Sequence, residues 1–172
     1  MKTAMIKAVL GALCLAALSG VCSAQQPPVF HDDLLDHLVG NWVLEGTIRG
    51  KPALHDVTAE WVLGHQYLRL HEVSRDKQGD QPQYEAMVFI GWDPKTSEYA
   101  CVWLDQWGWA FDTAVGRAQR NGNEIPFLFQ YPDGLFHTTF AYMPASQSWE
   151  MRMDNDVQGK LKPFARTKLT RK

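Results

Sequence analysis

From Gly40 to its C-terminus this chain of 172 residues has no stretch of sustained helical periodicity. It has instead about ten short strand-like runs, each bounded by turn residues. They are Asn41–Arg49, Leu54–Leu63, Gln66–Ser74, Gln83–Trp92, Glu98–Asp105, Trp109–Gln119, Glu124–Tyr131, Leu135–Met143, Trp149–Asp154 and Phe164–Thr170. The connections are tight: Gly50-Lys51-Pro52, Gly64-His65, Asp93-Pro94, Asn121-Gly122-Asn123, Pro132-Asp133-Gly134 and Gly159. An open sheet leaves two edges of unpaired backbone, and closure removes both. The spacing therefore predicts an all-β fold, a single antiparallel up-and-down barrel of about 8–10 strands. A short helix over Asp32–Val39 precedes it, with Asp32 and Asp33 at its N-terminal end, Leu34, Leu35, Leu38 and Val39 on one face, and Gly40 as the stop.

The first 24 residues have the form of a secretory signal. Lys2 and Lys7 are followed by the apolar run Ala8–Leu18, and Cys22-Ser23-Ala24 ends in a small residue suited to cleavage before Gln25. The run is shorter than the ~20 residues a membrane span needs. The domain assignment is thus a signal over 1–24 and a barrel over 25–172, exported to the periplasm or secreted, with no membrane insertion after cleavage. Acidic residues outnumber basic ones, 19 against 17, and the loss of Lys2 and Lys7 widens the difference. A chain of this charge without a Lys/Arg cluster has no footprint for nucleic acid. Cys14 and Cys22 leave with the signal, so Cys101 has no partner for an internal disulfide and reads as a small core residue.

Three hairpins can be registered. Around Gly64-His65, Trp61 pairs with Leu68, Ala59 with Leu70 and Val57 with Glu72, while Glu60–Arg69 and Thr58–His71 form the other face. Around Asp93–Glu98, Ile90 pairs with Cys101 and Val88 with Trp103, and the opposite face pairs Phe89 with Val102 and Met87 with Leu104. Both faces of this hairpin are apolar, which predicts a homodimer through Gln83–Asp105 or cover by another element. If Pro132-Asp133-Gly134 is a three-residue loop, Phe129 pairs with His137, and His137 shares a face with Phe127, Phe129 and Tyr131.

No G-x-S-x-G, H-E-x-x-H, P-loop, C-x-x-C or dinucleotide fingerprint is present. An imidazole among aromatic rings has the chemistry to ligate haem iron, and equally to be a satisfied polar group in a pocket wall. Trp103, Asp105, Trp107, Trp109 and Phe111 alternate, as core or as a stacking surface. Glu72, Asp105 and His137 are the candidates if the barrel performs acid–base chemistry.

Gly40-Asn41-Trp42, the segment Glu60–Leu68, and Gly91-Trp92-Asp93-Pro94 leading into Glu98–Asp105 resemble the domain-of-unknown-function family numbered 1579. The resemblance implies a calycin-like barrel, related in architecture to lipocalins, fatty-acid-binding proteins and haem-binding nitrobindins, and no established activity. By the same resemblance Trp42 packs under an arginine of the last strand, for which Arg166 is the candidate. The functional expectation is an exported binding protein for a small apolar or amphipathic molecule, without cofactor. Its candidate ligand-binding residues are Leu44, Trp61, Leu68, Leu70, Glu72, Phe127, Phe129 and His137. The alternatives are a haem-binding barrel using His137 and a dimeric structural module with a filled core.

Overall fold

A computed structural model describes residues 29–108 and 114–172. The signal-like segment and the aromatic residues Trp109 and Phe111 lie outside the described residues. Ten strands close into one antiparallel barrel. In chain order they are β1 (Gly40–Ile48), β2 (Lys51–Val62), β3 (Tyr67–Ser74), β6 (Glu85–Asp93), β7 (Glu98–Asp105), β8 (Gly116–Ala118), β9 (Glu124–Tyr131), β10 (Gly134–Met143), β11 (Ser148–Val157) and β12 (Lys160–Arg171). Each strand pairs with its neighbour in sequence, and β1 closes the ring against β12. Among the described residues a side hairpin lies between β3 and β6, made of β4 (Lys77–Gln78) and β5 (Gln81–Pro82).

Alternation explains the burial. On β9, Ile125, Phe127 and Phe129 point inward and are at most 1% exposed, while the residues between them face out. Closure of β1 on β12 requires glycine at one point: a Cβ on Gly46 would stand 2.1 Å from the Arg166 carbonyl oxygen. Gly116 in β8 similarly leaves room for the Phe129 ring, whose tip would lie 2.5 Å from an added Cβ.

Helix α1 (Asp33–Asp36) is shorter than the sequence implies, but turns continue it to Val39, with Leu38 N–H donating to Leu35 and Val39 N–H to Asp36. Asp32 caps it by accepting from the Leu35 N–H at 2.8 Å. Leu34, Leu35 and Leu38 are buried and enter one end of the barrel.

The first two registered hairpins have the expected pairings, Val57 with Glu72 and Ile90 with Cys101 among them. The turn of the first differs from the expected two-residue loop: Leu63, Gly64 and His65 all take positive φ in a four-residue connection. The third hairpin is displaced by one residue. Pro132-Asp133 is a two-residue turn, Gly134 is already in β10, and Phe129 pairs with Phe136. His137 therefore pairs with Leu128 and faces outward, because a one-residue slip exchanges the faces of a strand.

Candidate functional site: the barrel end opposite the helix

The two ends of the barrel are built differently. At the α1 end Trp42, Trp61 and Tyr99 are each tied down by a hydrogen bond. Trp42 is fully buried, and its indole N–H donates to the Leu38 carbonyl at 2.7 Å. The guanidinium above it belongs to Arg171, 4.4 Å from the ring centroid, not to Arg166. Arg171 also donates to the His37 and Val39 carbonyls, each at 3.1 Å, so it clamps the helix C-terminus where its negative partial charge lies. Arg166 sits on the outer wall and pairs with Asp154 at 2.5 Å. The Trp61 indole donates to Asp36 at 2.8 Å, and the Tyr99 hydroxyl donates to Asp32. Arg120 anchors Asp33 at 2.5 Å and holds its carboxyl below the usual carboxylate range.

The opposite end is formed by the last residues of β1, β3, β7, β9 and β11 and the first of β2, β6, β8, β10 and β12. Here the inward rings of Trp103, Tyr131, Phe136 and Phe164 are only partly buried against the core. They continue a run of contacts from the interior: Phe129 stacks on Tyr131 at 5.9 Å, Tyr131 meets Phe136 at 6.2 Å, and Phe136 meets Phe164 edge-on at 5.3 Å.

Into this apolar wall project His55 and Glu72, 5% and 4% exposed. His55 Nδ1 and Glu72 Oε1 are 2.5 Å apart. A carboxylate can only accept, so Nδ1 carries the proton and Nε2 is left for another partner. Tyr84 completes the group, its ring centroid 5.7 Å from that of His55. Its hydroxyl accepts from the Trp103 indole N–H at 2.9 Å and keeps its own proton to donate. Burial, followed by the nearby Glu72 charge, pushes the Tyr84 phenol far above its ordinary range, so it stays neutral. Asp105 stands at the rim and accepts from the Trp107 N–H at 3.0 Å, and the exposed Trp107 ring leans on Tyr84 at 5.3 Å.

The expected ligand-binding residues divide among these regions. Leu44, Leu68, Leu70 and Phe127 line the mid-barrel core, and Glu72 and Phe129 belong to the open-end cluster. Trp61 belongs to the plug, stacked on His65 at 4.2 Å. His137 lies on the outer wall with Nε2 3.9 Å from Asp156. It does not fit an interior haem, since its ring is on the wrong side of the sheet. The residues that sequence reasoning missed are His55 and Tyr84. His55 was within reach: once Val57 is inward, so is the residue two before it. Tyr84 precedes β6 and carries no periodic signal.

The geometry defines a class, a small closed antiparallel barrel plugged by a helix at one end and carrying a buried polar group at the other. The chain belongs to the family described as Protein of unknown function (DUF1579), which it matches over residues 28–170. No curated protein matches it.

Proposed function

We propose that this barrel binds a small amphipathic molecule through the end opposite α1. The apolar part of the ligand lies against Leu70, Phe129 and Phe136, and its polar part meets His55, Glu72 and Tyr84. The observation that carries this reading is the His55–Glu72 pair, buried in an otherwise apolar wall. Such a pair costs desolvation energy and rarely repays it in stability. A few polar groups placed among apolar side chains are what a small-molecule site requires. Binding is expected to quench Trp103 or Trp107 fluorescence and to raise Tm with ligand concentration, the added stability being about 2.7 kcal/mol at a hundredfold excess over Kd. A screen of alkyl amphiphiles, retinoids and hydrophobic dyes that yields no binder contradicts it. So does a haem mass on the protein purified from its own host.

The signal-like N-terminus supports export, so the ligand would be met in the periplasm or outside the cell. A second copy of the chain is our reading for the outer face of β6 and β7. Phe89 and Val102 are opposite each other there, Met87 is opposite Leu104, and Leu104 is 38% exposed.

A further inference from the structure

We propose that the open end of the barrel docks on an anionic lipid surface through the tips of two hairpins, β1–β2 and β11–β12. The docking is peripheral: basic side chains meet phosphate headgroups and exposed apolar ones enter the interface, while no strand crosses the bilayer. It goes beyond the binding reading above and does not depend on it, since a barrel with no interior ligand would present the same surface.

Barrel closure assembles the surface from segments far apart in the chain. β1 pairs with β12 as far as Ile48 with Ala165, and the Arg49 N–H then donates to the Phe164 carbonyl at 2.7 Å. The tips 48–52 and 157–163 are therefore neighbours. They carry Arg49, Lys51, Lys160 and Lys162 and no acidic residue. All four bases are exposed, and none forms an ion pair among the described residues. By contrast Arg69, Arg75, Arg117, Arg120, Arg152 and Arg166 are each paired with a carboxylate. Two acids stand beside the tips. Asp156 has its Oδ1 turned to the Gly159 N–H at 2.7 Å, and Asp133 lies in the β9–β10 turn. Four bases against these two leave the sector positive in a chain that is acidic as a whole. A local excess of this kind attracts a polyanionic surface, and each base near an anionic bilayer contributes about fivefold in affinity.

Charge alone would suit any polyanion; the apolar side chains among the bases favour lipid. Residues 157–163 are all exposed, so the β11–β12 ladder runs on past the core as a two-stranded finger. Leu161, between Lys160 and Lys162, is 56% exposed, and Val157 at the same tip is 39% exposed. A leucine set between lysines can enter the acyl boundary while the ammonium groups stay with the headgroups. Trp107 is at the same end of the barrel and is 58% exposed. An indole ring favours the headgroup level of a bilayer.

Co-sedimentation with lipid vesicles tests the docking. Vesicles of phosphatidylcholine containing phosphatidylglycerol are expected to bind the protein at least about tenfold more tightly than vesicles of phosphatidylcholine alone, with an affinity that falls as salt rises. Lys160→Gln is expected to lower that affinity about fivefold, and Leu161→Asn about threefold with the salt dependence kept. Lys95→Gln removes the same charge from the β6–β7 turn at the α1 end and is expected to change nothing. All three positions are exposed, so the comparison does not depend on a buried variant folding. No binding to the anionic vesicles, or equal binding to the neutral ones, overturns the docking. Equal loss in Lys95→Gln and Lys160→Gln overturns its placement at the open end. Inorganic polyphosphate that binds as tightly as the anionic vesicles, with Leu161→Asn without effect on either, would make the tips a site for a soluble polyanion and overturn the lipid surface.

Discussion

Trp42 and the His55–Glu72 pair are buried to a similar degree and do opposite things. Trp42 fills space, satisfies its N–H on Leu38 and carries Arg171 on its face. Truncation to alanine leaves a cavity that a closed barrel cannot collapse into, so Trp42→Ala is expected to cost about 3–5 kcal/mol in urea unfolding. A loss below about 1 kcal/mol would mark it as a surface-like position. The pair is different because its two polar groups were taken from water for little net gain. Glu72→Leu alone strands the imidazole and is expected to destabilise by about 3 kcal/mol. The double variant His55→Leu with Glu72→Leu is expected to equal the native protein in stability, or exceed it by about 1 kcal/mol, and to lose ligand binding. A double variant that is as unstable as the single one would show the pair to be structural.

At the scale of elements, strand alternation and turn chemistry set what can be read in advance. The β2–β3 and β6–β7 registers are legible because one pairing puts a Glu–Arg pair on one face and an apolar set on the other, or aligns two apolar sets. The β9–β10 register is not legible in the same way. Gly134 suits either a loop or the first position of a strand, and Phe136 and His137 are neighbours, so either slip places an aromatic ring inward. The structure selects the slip that buries Phe136 opposite Phe129, and His137 moves outside. The arginine over Trp42 is similarly ambiguous in sequence, since Arg166 and Arg171 are both on β12; the β1–β12 register pairs Trp42 with Arg171. That register also depends on Gly46. Gly46→Ala drives a methyl into the Arg166 carbonyl and Thr167 Cα, both backbone atoms, and is expected to cost about 3 kcal/mol. Thermal denaturation with an unchanged Tm would contradict the close approach of the two strands.

At the scale of the molecule, the fold concentrates its cohesion at one end. Helix α1 is linked to the barrel through Trp42, Trp61, Tyr99, Arg120 and Arg171, whereas the far end has rings that are only partly covered. This polarity was not readable from composition, because the aromatic residues at the two ends look alike until closure sorts them. The outer wall carries its own prediction. Phe89 faces out where Ile90 is fully buried, so Phe89→Glu tests the interface without disturbing the core. Sedimentation is expected to show a dimer for the native chain at micromolar concentration and a monomer for Phe89→Glu; a native monomer would contradict the second copy on this face.

The tryptophan indole N–H groups report on both ends at once, which makes the central claim directly measurable. Trp42 and Trp61 are in the plug, Trp149 in the core, and Trp103 and Trp107 at the open end. In a two-dimensional proton–nitrogen spectrum titrated with decanol, a neutral amphiphile, the Trp103 and Trp107 indole signals are expected to shift in a saturable manner while those of Trp42 and Trp61 stay in place. Saturable shifts confined to Trp42 and Trp61, or no saturable shift at any indole, would contradict entry of a ligand at the His55–Glu72 end of the barrel.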